Sequence, residues 1–310
     1  MATIVITGGT GLIGRALTET LEQKGNRIII FTRGDEESIA GRNIFYTKWD
    51  VKEQYVDLDA IAQADYIIHL AGASVMEKRW TNKRRKEIVD SRVKSSELLV
   101  NAIRQVGSNL KAVISASAIG WYGPDTGRNE GGFKESDPAA NDFLGQTCLQ
   151  WENAIGEVKK LGKRLVRLRT GIVLSPDGGA LKEFITPLRF GIATILGSGK
   201  QVISWIHIDD LVSLYIKAME DERWEGVYNA VSPMPVTNKN FVITLAKERN
   251  GKAFIPVHVP SFFLKMYLGE SSIEIMKSAA VSSQRVEQSG FSFKYPGING
   301  AIKQIISSDR

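Results

Sequence analysis

The most specific chemical signal in the chain is the run Thr7-Gly8-Gly9-Thr10-Gly11-Leu12-Ile13-Gly14. Gly8, Gly11 and Gly14 fall in a G-x-x-G-x-x-G spacing, directly after a β-branched run and at the head of an apolar helical pattern. Glycine permits the positive φ of a tight turn and lets backbone N–H groups approach a pyrophosphate, which then lies at the positive end of the following helix. A glycine triplet alone is weak; its place between strand and helix makes it a dinucleotide-binding prediction. The second apolar run ends Ile28-Ile29-Ile30-Phe31-Thr32-Arg33, where an NAD-selective site usually places a carboxylate for the ribose hydroxyls. Thr32 and Arg33 stand there instead, and a guanidinium can fork onto a 2′-phosphate. NADP(H) is therefore favoured over NAD(H), the alternative being that Arg33 only opens a loop ahead of Asp35-Glu36-Glu37.

Other reactive side chains are sparse. Cys148 is the one cysteine, and His69, His207 and His258 are the three histidines. These exclude a disulfide scaffold and make a Cys/His cluster improbable, so no metal is expected. A catalytic thiol needs a base or a positive surrounding, which the residues next to Cys148 do not supply, so Cys148 is read as packing. His207 continues an apolar run and is read as structural, with Asp209 placed to cap the helix that follows. The basic run Lys78-Arg79-Trp80-Thr81-Asn82-Lys83-Arg84-Arg85-Lys86 reads as the solvated start of a helix, and nucleic-acid binding is not expected.

These residues need elements to hold them. The 310 residues carry 40 Lys+Arg against 34 Asp+Glu, a net +6, and are 43% hydrophobic, a globular balance that excludes disorder as the main theme. Apolar runs of four or five residues fall far short of the ~18 to 20 needed to cross a bilayer, and the opening Met1 to Gly8 has no basic flank or cleavage site. A soluble, cytoplasmic protein, monomer or homodimer, is expected. Strands are predicted at 3–7, 27–32, 44–47, 66–70, 112–116 and 164–169. Helices are predicted at 12–24, 85–106 and 143–161, with Gly25 and Gly162 at helix stops. Strands apolar throughout, alternating with long helical patterns, predict an α/β fold: a Rossmann-type doubly wound parallel sheet with helices on both faces. Beyond 169 the pattern loosens into a smaller C-terminal α+β substrate lobe, with further helices near 209–221, 238–250 and 262–269. The expected division is a nucleotide-binding domain at 1–170, to which 205–230 returns, and a substrate lobe at 171–204 and 231–310.

The chain resembles the extended short-chain dehydrogenase/reductase superfamily, the NAD(P)-dependent epimerase/dehydratase group, over essentially its whole length. The resemblance rests on the Thr7 to Gly14 turn, Trp49-Asp50-Val51, His69-Leu70-Ala71-Gly72-Ala73, Ser115-Ala116-Ser117 and Trp121-Tyr122-Gly123. Arg169-Thr170-Gly171-Ile172-Val173-Leu174 and Trp205-Ile206-His207-Ile208-Asp209-Asp210 continue it. More narrowly, the chain looks like a branch of nucleoside-diphosphate-sugar epimerases, whose own C-terminal module the tail Ser283-Gln284-Arg285-Val286 to Tyr295-Pro296 resembles. The resemblance implies that Asp50 and Val51 border the adenine and that Leu70, Ala71 and Gly72 line the ribose-nicotinamide half of the cofactor. Each segment lies just past a strand's C-terminal end, where open α/β sheets bind ligands.

The superfamily's Tyr-x-x-x-Lys pair, in which the lysine lowers the tyrosine's pKa for proton exchange, is missing. Leu144 and Cys148 stand at the two positions, and Arg92 stands where an asparagine commonly supports the proton relay. Ser117 is the recognisable catalytic remnant, expected to hydrogen-bond a substrate oxygen. Tyr122 is a candidate proton donor, or else a wall of the cleft. Arg79, Trp80, Arg92 and Trp121 are candidate substrate contacts, with Trp205 a further aromatic that could line the pocket. The implied function is an NADP(H)-dependent oxidoreductase or epimerase acting on a small hydroxyl- or carbonyl-bearing metabolite, a nucleotide sugar among them. The alternative is a non-catalytic NADP(H)-binding sensor or regulatory protein that has lost turnover with the pair.

Overall fold

The computed structural model describes residues 1–34, 41–107, 109–125 and 131–308, so the predicted loop Asp35-Glu36-Glu37 lies outside the described residues. The first part of the chain runs β1 (Thr3–Thr7), α1 (Leu12–Gln23), β2 (Arg27–Thr32), β3 (Ile44–Asp50), β4 (Tyr55–Val56), α2 (Leu58–Ala62), β5 (Tyr66–His69), α3 (Asn82–Val106), β6 (Ala112–Ala118), α4 (Phe143–Gly156) and β7 (Arg164–Thr170). It continues β8 (Ile172–Leu174), α5 (Ala180–Leu188), β9 (Ile192–Leu196), β10 (Val202–Ile203), β11 (Trp205–His207), α6 (Ile208–Glu220), β12 (Gly226–Ala230) and β13 (Val236–Thr237). The rest is α7 (Asn238–Asn250), β14 (Ile255–Val259), α8 (Ser261–Leu268), α9 (Ser272–Met276), α10 (Gln284–Gln288) and α11 (Ile298–Ser308).

Eight strands form the main sheet in the order β12-β7-β6-β5-β1-β2-β3-β4, parallel throughout except for the antiparallel edge strand β4. This is the doubly wound arrangement expected from the sequence. The chain moves outward from β1 in one direction, then returns to β5 and builds the other way. The crevice at the C-terminal ends of β1 and β5 is therefore the switch point where such sheets bind ligands. The pleat sends Ile4, Ile6, Ile28, Ile30, Ile68 and Ile114 to one face, against α1 and α6, and Val5, Ile29, Ile67, Val113 and Leu165 to the other, against α3.

Local signals shift several boundaries. Helix α3 begins three residues before its predicted start, because Thr81 caps it by accepting from Arg84 N at 3.2 Å. Helix α4 ends at Gly156, and a 3-10 segment, Glu157–Leu161, completes the predicted helix up to Gly162 in the left-handed conformation. Strand β3 runs on to Asp50, three residues past its predicted end. For α6 the cap is His207, whose Nδ1 accepts from Asp209 N at 3.1 Å, and not Asp209. The His207 ring is buried, 2.9 Å from Gln304 Oε1 and 4.1 Å from the Tyr295 ring.

Outside the main sheet, three two-stranded pairings, β8 with β11, β9 with β14 and β10 with β13, frame a separate core of α5, α7 and α11. Among the described residues, no helix is long and apolar enough to cross a membrane.

Candidate functional site

The turn from β1 into α1 is built for close approach. Gly8 has φ +71°, and a Cβ placed there would lie 3.0 to 3.1 Å from the Leu70 carbonyl group and Ala71 N. A Cβ on Gly14 would lie 2.3 Å from Gly8 O, and one on Gly9 2.8 Å from Ile30 Cγ2. Only glycine lets the turn, the first coil of α1 and strand β2 pack at these distances. The N-cap of α1 is Gly11, and no side chain caps the helix, which leaves its first N–H groups and the positive end of its dipole for an anion. The cradle therefore fits a dinucleotide pyrophosphate.

The far wall of this cradle is fixed from below. Thr7 Oγ1 accepts from the backbone N–H of Leu70 at 3.1 Å and of Ala71 at 3.2 Å, which leaves its own proton for His69 Nδ1 at 2.8 Å. The imidazole then carries its proton on Nε2, 3.2 Å from Ser96 Oγ, whose hydroxyl is in turn donated to Arg92 O. Burial pushes the His69 pKa down to about 4, so the ring is neutral.

On the β2 side, Thr32 is buried and Arg33 exposed. Asp50 closes the turn after β3 by accepting from Lys52 N at 2.8 Å and Glu53 N at 3.2 Å, bonds that hold its carboxyl below the usual range. Val51 follows at the margin of the core. Sequence reasoning passed over Arg15, whose Nη1 donates to Thr10 O at 3.3 Å across the glycine turn. A cation one residue past Gly14 was the available signal.

On the β5 side, Leu70, Ala71 and Gly72 lead away from the sheet, and beneath them lies Arg92 of α3. Arg92 Nη1 donates to Ala73 O and Ile88 O, both at 3.0 Å, and its guanidinium stacks 5.2 Å from the Trp151 ring centroid. A Cβ on Gly72 would lie 3.2 Å from Arg92 Cζ. Leu144 and Cys148 face the 3-10 turn Ile119–Trp121: a Cβ on Gly120 would lie 3.3 Å from Leu144 Cβ and 3.8 Å from Cys148 Sγ. Burial pushes the Cys148 thiol up to about 12, leaving it protonated.

The two catalytic candidates are both buried. Ser117 is 3% exposed and its hydroxyl donates to Glu152 Oε1 at 2.7 Å. Tyr122 is 0% exposed; its hydroxyl donates to Asn229 Oδ1 at 2.7 Å and accepts from Arg169 Nη1 at 3.0 Å. Burial raises its pKa to about 12, so it is neither a proton donor poised near neutrality nor a wall of the cleft. Both serve a buried network centred on the Arg169–Glu152 pair, with Arg169 Nε 2.8 Å from Oε1 and Nη2 3.1 Å from Oε2. Trp121, a predicted substrate contact, is half-buried and also supports this network: Arg169 stacks on its ring at 3.6 Å and its Nε1 donates to Asp137 O at 2.9 Å. Trp205 is wholly buried, with Nε1 donating to Met234 O at 3.0 Å, and lines no pocket.

Arg79 is exposed and Trp80 half-buried. Trp80 meets Phe143 edge-on at 4.9 Å, Arg79 Nη2 donates to Met266 O at 3.4 Å, and Arg85 pairs with Glu270. Lys277 Nζ lies 2.9 Å from Asp142 Oδ2, the residue that caps α4. The basic run, read from sequence as a solvated helix start, is thus largely engaged: Arg84 is buried, bonded to Ser74 O and paired with Glu87 at 2.8 Å. Among the described residues, no group of three or more histidine, cysteine or carboxylate side chains could hold a metal ion.

Residues 4–230 match the profile of the NAD dependent epimerase/dehydratase family, and residues 259–305 that of DUF1731, a domain of unknown function. The chain is 34% identical over 304 residues to an epimerase family protein of Staphylococcus saprophyticus, covering 97% of this chain and 98% of that one. It is 33% identical over 304 residues to the epimerase family protein YfhF of Bacillus subtilis, covering 98% of each. Its fold is similar to that of the human epimerase family protein SDR39U1 solved with NADPH, with a TM-score of 0.84 and 28% identity over 98% of this chain and 99% of that one.

Proposed function

The chain belongs to the NAD dependent epimerase/dehydratase family, and from that premise we propose an NADP(H)-dependent oxidoreductase or epimerase that acts on a small hydroxyl- or carbonyl-bearing metabolite. The observation that carries this reading is the glycine turn from Gly8 to Gly14, packed too closely to admit a Cβ at Gly8, Gly9 or Gly14, at the uncapped start of α1. The NADPH in the human relative's structure supports the choice of cofactor, as does Arg33 at the end of β2 with no carboxylate among Phe31, Thr32 and Arg33. When bound, the cofactor supplies hydride chemistry. The chain's part is placement and electrostatics. Thr7, Gly8, Gly9, Thr10, Gly11, Leu12, Ile13 and Gly14 seat the pyrophosphate, Thr32 and Arg33 take the 2′-phosphate, Asp50 and Val51 border the adenine, and Leu70, Ala71 and Gly72 line the other half.

Leu144 has no exchangeable side-chain proton and burial keeps the Cys148 thiol protonated, so in this reading water completes the proton transfer. Arg79 and Trp80 contact the substrate at the mouth. A reducing, cytoplasmic setting suits the free thiol. A second reading, a non-catalytic NADP(H)-binding sensor, is favoured by the same buried state of Ser117, Tyr122 and Cys148.

Calorimetric titration tests the shared premise. NADPH is expected to bind more tightly than NADH. Arg33→Ala should weaken NADPH by about 10- to 100-fold, the worth of a charge-assisted bond of about 1 to 3 kcal/mol, and leave NADH little changed. Equal losses would refute the selectivity, and no heat with either dinucleotide would refute the site. Steady oxidation of NADPH with any member of a carbonyl, quinone and nucleotide-sugar panel separates the enzyme from the sensor.

A further inference from the structure

We propose that the exposed face of α8 is the interface of a homodimer, in which two copies of this chain pair across a two-fold axis. The inference stands apart from the dinucleotide reading, because α8 lies in the C-terminal module and none of the residues that carry it seats the cofactor.

Helix α8 reads Ser-Phe-Phe-Leu-Lys-Met-Tyr-Leu, apolar at all positions but Ser261 and Lys265. Phe262, Phe263, Met266 and Tyr267 follow an i, i+1, i+4, i+5 spacing and so share one side of the helix. That side is unpartnered: the four side chains are 66%, 52%, 60% and 80% exposed. Among the described residues, the only other exposed large apolar side chain on any helix is Ile273 of the adjoining α9. Single exposed apolar residues are ordinary on a protein surface, whereas a concentration on one helix face marks an interaction site.

The size of the face fits a second copy. At about 150 to 250 Å² for a whole aromatic side chain, the four together offer roughly 500 Å² to solvent. Two copies meeting face to face would remove about 1,000 Å², where specific interfaces begin, before a polar rim is counted. A two-fold contact asks one patch to complement itself, and the charges agree with that. Lys265 lies among the four and makes no ion pair among the described residues, while Glu270, 60% exposed, follows the end of the helix. Antiparallel pairing turns Lys265 of each copy toward Glu270 of the other.

Other occupants fit less well. A bilayer surface calls for free cations around the apolar face, but the two arginines that reach this segment are spent on it: Arg79 Nη2 donates to Met266 O at 3.4 Å and Arg85 pairs with Glu270. Strand addition at the nearby β14 is opposed by the backbone. Ile255 N donates to Gly191 O and Val259 O accepts from Gly197 N, both at 2.8 Å, so these residues bond toward β9 and Pro256 turns outward, where it has no N–H to offer another strand.

Sedimentation velocity of the full chain across a dilution series tests the pairing. Native protein should sediment at twice the 34.2 kDa of the chain and dissociate on dilution. Tyr267→Lys and Phe262→Lys should each weaken the dimer by about 30-fold or more, the loss expected for a central aromatic anchor. Tyr55→Lys, which replaces an exposed aromatic on the edge strand β4, should leave it unchanged. All three replaced side chains are exposed, and thermal melts of the dissociated proteins should coincide. Independently, Met266→Cys should form a covalent dimer under mild oxidation, as a residue near a two-fold axis meets its own copy; the native Cys148 is buried and does not compete. A native chain that stays monomeric at every concentration, or a dimer that survives both α8 substitutions, would overturn the assignment. So would capture of a monomeric native chain by phosphatidylserine vesicles that Tyr267→Lys abolishes, which would give the face to a bilayer.

Discussion

His69 gives the site its pH signature. Its ring is buried, neutral and placed between Thr7 and Ser96, with a pKa pushed to about 4 in the folded chain against an ordinary value near 6.5. The unfolded chain therefore holds this proton more tightly. The stability contributed by the neutral ring is complete above pH 6.5 and is lost as pH falls from there to about 4, about 3 kcal/mol in all. Urea denaturation of the native protein at intervals from pH 7 to 4 should show this decline, and His69→Gln should show a shallower one. Parallel slopes would assign the titration to another group. The same side chain borders the candidate site, because Thr7 Oγ1, which accepts from Leu70 N and Ala71 N, gives its own proton to an unprotonated Nδ1.

At the level of elements, α1 and α4 show how a glycine's surroundings decide its worth. Gly14 lies in the first turn of α1, where an added Cβ would sit 2.3 Å from Gly8 O and 2.6 Å from Gly9 Cα. Gly156 ends α4 with nothing within 4 Å of the same position. Gly14→Ala should cost about 1 to 3 kcal/mol by overpacking and weaken NADPH binding by more than tenfold, because the helix must move off the turn. Gly156→Ala should stabilise by about 0.4 to 1 kcal/mol with NADPH affinity unchanged. Thermal melts and NADPH titrations of the two variants check both. A Gly14→Ala protein that binds NADPH normally would mean that this close packing is not what seats the pyrophosphate.

Across the whole molecule, the C-terminal module is part of the fold and not an appendage. Val286 sits in the core under the main sheet with Phe291 and Phe293 against it, and Ile298, Ala301, Ile302, Ile305 and Ile306 of α11 complete the second core with α5 and α7. Asp210 of α6 accepts from Lys294 N at 2.7 Å and Tyr295 N at 2.9 Å, and Asn229 of β12 donates to Ser282 O at 3.1 Å. Removing residues 260–310 would expose both cores. The truncated chain should lack a cooperative thermal transition, whereas the full chain should melt as one unit; a truncated form with a sharp transition near the native temperature would contradict the shared core.

The sequence by itself determined the parallel sheet, the helices on its two faces and the glycine cradle. Each is a local requirement of the backbone: apolar runs of strand length, helical periodicity, and positions that no Cβ can occupy. It also raised the expectation that Leu144, Cys148 and Arg92 depart from the superfamily's pattern, since residue identity needs no coordinates. Only the tertiary structure decided which polar groups face the cleft. Ser117 meets Glu152 across 35 positions of chain and Tyr122 meets Asn229 across 107, and these partners turn two apparent catalytic residues into buried anchors. Arg92 came to notice as a replacement, but its place under Gly72 depends on α3 and the loop after β5 packing together. Whether a polar side chain is spent within the protein or left for a ligand depends on partners far away in sequence, and the pattern around the residue does not encode them.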